Sequence, residues 1–178
     1  MSSSSTDASS SSPTRVALCQ FPVTHDKAVN HRTAREYVDR AVQDHGASMV
    51  VLPEIWNGPY ATAAFGEYAE RLPDLGDTSV ASPDDSPSAL LLQELAKQHG
   101  VYLVGGSVPE KDDRGDVYNT CLVLDPTGKV VAKHRKVHLF DIDVPGGVTF
   151  RESDTLSPGS TYSVFDTDAF GTVGVGIW

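Results

Sequence analysis

The run SMVVLP, residues 48–53, is apolar without alternation and closes on Pro53. A strand with one wet face alternates apolar and polar side chains, whereas a strand covered on both faces has no such need. The run therefore predicts a strand buried on both sides. Ahead of it, RVALCQF alternates apolar with polar or small residues around Val16, Leu18 and Cys19, and reads as a strand. Between the two, Ala34, Tyr37, Val38, Ala41 and Val42 recur at helical spacing and form one apolar stripe. Asp26 or Thr24 stands where an N-cap is needed, and Gly46 where a C′ residue is. Strand, helix, buried strand is a βαβ pattern, which demands a parallel component in the sheet. The chain is thereby restricted to an α/β fold with a mixed sheet.

Further along, residues 57–88 read as irregular, with the acidic stretch DLGDTSVASPDDSP as a surface loop. Ser86-Pro87 predicts the N-cap and first residue of a second helix, with a stripe at Leu91, Leu92, Leu95 and Ala96 and a stop at Gly100. VYLVGGSV is the next expected strand. YNTCLVLDPTGKVVAKH predicts two strands around Asp-Pro-Thr-Gly, a sequence suited to a type I turn. YSVFDT and TVGVGIW are strand-like. There is no internal repeat. Residues 1–13, MSSSSTDASSSSP, contain eight serines and no basic residue, and are expected to be a disordered tail.

Charge narrows the partners. The formal net charge is −10, and binding to nucleic acid or to an anionic membrane surface needs clustered Lys and Arg. No apolar run is long enough to span a bilayer. Cys19 and Cys121 lie inside apolar, strand-like runs and predict two buried thiols packed as small hydrophobes. That usage fits a reducing compartment, the cytosol or the mitochondrial matrix.

Two positions stand out on physical grounds. Glu54 directly follows the buried strand, at the end where α/β folds place ligands. Partial desolvation there suits a carboxylate to general-base work, although a solvated glutamate at a strand exit has the same sequence. Lys136 closes a basic cluster, Lys133 to Lys136, in an acidic chain. Such a cluster either faces an anion or oxyanion or is a solvated loop. His134 and His138 have metal-ligand spacing only on a helix, and no third ligand accompanies them. The glycine pairs lack the Gly-Lys-Ser/Thr of a phosphate loop, and no Gly-x-Ser-x-Gly elbow occurs.

VVLPEIWNGPY, HRKVHLFDIDVPG, TFRESDTLSPG and the final VGVGI, taken in order, resemble successive signatures of the nitrilase superfamily of carbon–nitrogen hydrolases. HLFDIDVPG with TFRESDTLSPG most resembles its ω-amidase branch. The resemblance covers residues 15–178. It implies an α-β-β-α sandwich, with residues 14–178 as the N-terminal part of the domain and the fold incomplete at its C-terminus. It implies Glu54 as general base, Lys136 as the cation on the tetrahedral oxyanion, Glu152 as a second glutamate orienting lysine and substrate, and Tyr60 as a pocket tyrosine. The family's nucleophilic cysteine follows a Gly-x-Gly-Ile-like strand, and Trp178 stands at that position here.

The implied activity is hydrolysis of small α-keto acid ω-amides with release of ammonia. It uses a Glu–Lys–Cys mechanism without metal or organic cofactor, in an enzyme that is a homo-oligomer when complete. Indole is no nucleophile, and neither Cys19 nor Cys121 is placed to replace the missing thiol, so this chain is expected to be truncated and inactive as it stands. A non-catalytic product, or a partner of a full-length subunit, is the alternative. A carbohydrate-active domain with Glu54 and Glu152 as paired carboxylates would leave the basic cluster unexplained.

Overall fold

The structure, a computed structural model, describes residues 14–178; the expected tail at 1–13 lies outside the described residues. Strand β1 (Val16–Leu18), helix α1 (Lys27–Gln43) and strand β2 (Met49–Val51) make the expected βαβ unit, with β1 and β2 parallel. Asp26 caps α1, its carboxylate accepting from the Ala28 and Val29 amides. Two donors that a helix start leaves free are thus satisfied. Gly46 turns the chain after α1 at φ +62°, a conformation that disfavours a side chain, and its N–H closes on the Val42 carbonyl.

Residues 57–88 are not irregular throughout, as expected from their composition. They contain helix α2 (Thr62–Tyr68), which has no side-chain cap and buries only Phe65, against Ile55 and Leu156. A helix this short has no stability of its own and shows no periodicity in sequence; the tertiary contact of Phe65 holds it. Helix α3 (Pro87–His99) starts and stops where expected, with Pro87 in its first turn and Gly100 left-handed at its end. The cap itself differs. The Ser86 hydroxyl makes no capping bond, and the Ser88 amide donates instead to the Glu70 carboxylate at 2.8 Å.

Strand β3 (Tyr102–Val104) continues the sheet parallel to β2. The single strand expected for VYLVGGSV is broken: β4 (Val108–Lys111) resumes only after Gly105, Gly106 and Ser107. Both pieces run antiparallel along one edge of the long strand β5 (Val117–Leu124), and β6 (Val130–Arg135) runs antiparallel along the other. The break arises where Gly106, at φ +60°, lies so close to the Pro53 carbonyl that a Cβ would collide with it. Between β5 and β6 the Asp125 carbonyl accepts from the Gly128 N–H at 2.9 Å, closing the predicted turn.

Two hairpins complete the chain: β7 (Asp141–Asp143) with β8 (Thr149–Arg151), and β9 (Ser163–Thr167) with β10 (Gly171–Val175). Strand alternation sorts the core into layers. Val50, Leu103, Leu122 and Leu124 face α1 and α3, while Met49, Cys121, Val123 and Ala132 face Phe165, Val173 and Val175 of the β9–β10 sheet. Leu92, Leu95 and Leu103 are almost fully buried, each burial stabilising by about 1.5–3 kcal/mol. Helices, mixed sheet and second sheet are three layers of the expected α-β-β-α sandwich. On β1, which pairs Val16 with Met49, the side chains Val16 and Leu18 remain exposed. Among the described residues no helix is long and apolar enough to cross a membrane.

Candidate active site

Strand β2, interior in the sheet, ends at Val51, and Leu52 and Pro53 carry the chain on to Glu54 beyond the strand's C-terminal end. The next residue, Ile55, is buried and has φ +49°, a conformation rare for a β-branched residue. Ser107 holds it there. Its hydroxyl accepts from the Ile55 N–H at 3.0 Å, its carbonyl accepts from the Trp56 N–H at 3.2 Å, and its own N–H donates to the Pro53 carbonyl at 3.1 Å. The break between β3 and β4 thus acts as a strap on the turn that aims Glu54.

Lys136 lies one residue past β6. Its ammonium contacts Glu54 Oε1 at 2.8 Å and the two oxygens of Glu152 at 3.2 and 3.0 Å. The three residues expected from the resemblance therefore meet at one point. Their exposures differ: the Lys136 and Glu152 side chains are 1% and 0% exposed, and that of Glu54 is 35% exposed. Glu152 opens the short 3-10 turn Glu152–Asp154 and also accepts from the Phe140 N–H and from the Tyr60 hydroxyl, each at 2.6 Å. A fully buried carboxylate with this many donors is held in place. Tyr60 stacks on Phe150, with ring centroids 5.5 Å apart. Burial, the hydrogen bond to Glu152 and the negative charges of Glu54 and Glu152 all push its phenol pKa well above the ordinary value, so it stays a neutral donor.

The basic cluster does not form one positive patch. Side chains along a strand alternate in direction, and Lys133 and Arg135 both turn to the buried Glu110, at 2.8 Å each. His134 points elsewhere, with Nδ1 3.2 Å from the Ser163 hydroxyl, and burial lowers its pKa. Among the described residues no group of three or more His, Cys, Asp or Glu side chains is placed to hold a metal ion.

A cavity of about 170 Å³ adjoins the cluster, lined in part by Glu54, Ser107, Cys121, Ile177 and Trp178. Position 178 and Glu54 therefore line the same cavity. Cys121 is close by in the chain fold but is no nucleophile. It is fully buried, its thiol donates to the Leu122 carbonyl at 3.6 Å, and burial pushes its pKa up to about 12. Cys19 is half-buried rather than buried as expected, and packs on the helix side of the sheet.

Two residues of the site escaped the reading of the sequence. Ser107 looked like part of a strand, and Asn119, whose side-chain amide donates to Glu54 Oε1 at 2.8 Å, was one polar residue in a strand-forming run. A polar side chain at an inward position of β5 was the available signal.

Residues 15–177 match the family model described as carbon-nitrogen hydrolase. The chain belongs to that family. Its resemblance to the omega-amidase NIT2-B of Xenopus laevis is 48% identity over 163 residues, which is 92% of this chain and 54% of that protein. With the chloroplastic omega-amidase of Arabidopsis thaliana the identity is 45%, over 91% of this chain and 41% of the relative. Among solved structures, Saccharomyces cerevisiae Nit3, a member of branch 10 of the nitrilase superfamily, superposes with a TM-score of 0.75 at 36% identity, covering 90% of this chain and 54% of Nit3. The chain spans about half the length of these carbon–nitrogen hydrolases, and its fold is the nitrilase-superfamily fold.

Proposed function

We propose that this chain carries the base and the oxyanion cation of an ω-amidase, acting on small α-keto acid ω-amides through a cysteine thioester. The observation that carries the reading is the placement of the Lys136 ammonium, buried and shared between Glu54 and Glu152, with Glu54 reaching the cavity. The relatives named omega-amidase support the substrate class.

In this reading Glu54 takes the proton of the cysteine thiol, and the thiolate adds to the amide carbonyl. Lys136 stabilises the resulting oxyanion in a site where little water competes. Collapse expels ammonia with the proton returned by Glu54. Glu54 then deprotonates a water that adds to the thioester; collapse releases the α-keto dicarboxylic acid, and Glu54 returns the proton to the departing thiolate. Glu152 holds Lys136 in place, and Tyr60 lines the substrate side. The nucleophile belongs at position 178, on the cavity that Glu54 also lines, where Trp178 stands. Since Cys19 and Cys121 do not serve, a polypeptide of residues 1–178 is proposed to be inactive alone.

The test is ammonia release from an α-keto acid ω-amide. The 178-residue polypeptide is expected to give none. An extended polypeptide, Trp178→Cys followed by the C-terminal half of the Xenopus relative, is expected to turn over and to trap a thioester at residue 178. Turnover by the unextended chain, or a thioester on any other cysteine, would overturn the reading.

A further inference from the structure

The two donors that reach Glu54 converge on the same oxygen. Lys136 Nζ and Asn119 Nδ2 each lie 2.8 Å from Oε1. Among the described residues Oε2 has no hydrogen-bond partner, and this side chain is 35% exposed, toward the cavity. A carboxylate with one oxygen held by two donors cannot exchange its oxygens without breaking both bonds. Its second oxygen is then a fixed, open acceptor.

Asn119 also stands opposite Lys136 on the β5–β6 ladder, since Thr120 pairs with Arg135 and the Lys136 N–H donates to the Asn119 carbonyl at 2.8 Å. One residue thus grips the carboxylate through its side chain and the lysine through its main chain. Its own amide is fully buried, with Oδ1 left without a partner. An ionised carboxylate only accepts, so the amide must present Nδ2 to Glu54. The orphaned Oδ1 is the consequence of that choice.

We infer that Asn119 is a positioning residue for the general base: with Lys136 it locks Oε1 of Glu54 and makes Oε2 the atom that exchanges protons with nucleophile and water. The inference deepens the hydrolase reading and rests on it for its kinetic part. The groups facing Glu54 are Lys136 and Asn119 directly, with Glu152 and Tyr60 behind the lysine.

Two experiments test it. In the 178-residue chain itself, the Asn119 side-chain amide is expected to show one proton shifted downfield and slow to exchange by NMR, and to lose that signature in Glu54→Ala. In the extended polypeptide, Asn119→Leu is expected to lower kcat by about 10- to 100-fold, the scale of a misaimed catalytic group, with KM within about twofold. Asn119→Asp supplies a donor only when protonated, so its kcat is expected to recover relative to the parent as pH falls. A packing role predicts a loss that does not depend on pH and that disappears once rates are corrected for folded protein. Parental kcat in Asn119→Leu, or an amide signal indifferent to Glu54→Ala, overturns the positioning role alone. Absence of turnover in the unsubstituted extended polypeptide overturns the hydrolase reading, while the amide signal still decides the contact.

Discussion

Glu54 and Glu70 sit in clusters built from the same parts. Each pairs with a lysine, Lys136 or Lys27, and each accepts from an asparagine amide, Asn119 or Asn57, whose Oδ1 is buried and unpartnered. The difference is in what remains. Glu70 takes Lys27, Asn57 and the Ser88 hydroxyl on Oε1 and the Ser88 amide on Oε2, and its side chain is 2% exposed. All its capacity is used, and it serves as the N-terminal cap of α3. Glu54 uses one oxygen and keeps the other open. A buried carboxylate beside a lysine is therefore no sign of reactivity by itself; an unspent acceptor at a cavity is.

The largest effect that would test this contrast is on turnover. Glu54→Gln in the extended polypeptide is expected to lower kcat roughly 100- to 10,000-fold, the usual contribution of general acid–base catalysis, with the thermal midpoint little changed. Lys136→Met should hit stability as well. It leaves Glu152 buried without its counter-ion, at a cost of about 3–5 kcal/mol in chemical unfolding. Glu70→Ala should invert the first result, with kcat per folded molecule kept and stability lowered by about 2–4 kcal/mol through the orphaned Ser88 and Asn57 donors. That corresponds to a midpoint lower by roughly 5–15 °C for a domain of this size. A turnover defect in Glu70→Ala that survives correction for folding would erase the distinction between the clusters.

Glu110 sharpens the comparison as a third carboxylate, saturated by Lys133, Arg135 and Thr120. Burial alone would raise its pKa, but the hydrogen bonds from Arg135, Lys133 and Thr120 outweigh it and hold the carboxyl below its ordinary value. A depressed folded pKa gives stability that is present above the unfolded value, about 4.3, and lost as pH falls through the folded one. Midpoints measured from pH 7 to 3 should fall in that acid window, and less steeply in Arg135→Met. The smallest effect is expected for Lys27→Met, about 1 kcal/mol or less, because Lys27 is 29% exposed and Glu70 keeps its other donors.

Elements with long or repeated patterns were legible in the chain. Helices α1 and α3, strand β2 and the β5–β6 turn follow from a stripe, a cap, an unbroken apolar run and a Pro-Thr-Gly signal. Helix α2 and the β7–β8 hairpin were not, since each is too short to show a period and is held by contacts such as those of Phe65 and Phe150. The basic cluster from Lys133 to Lys136 was visible, but its division between Glu110 and Glu54 was not, because that depends on which carboxylate the fold brings to each side chain.

The amino-acid sequence by itself determined the α/β class, the βαβ start and the location of Glu54 at a strand exit, since these follow from local periodicity and chain punctuation. Through its motifs it also indicated the family and the grouping of Glu54, Lys136 and Glu152. Only the tertiary structure decided which glutamate keeps an oxygen free, that Ser107 holds the strained turn at Ile55, and that Asn119 reaches Glu54 while its main chain grips Lys136. Those facts rest on hydrogen bonds between residues far apart in the chain. A local pattern carries no information on which donor meets which oxygen.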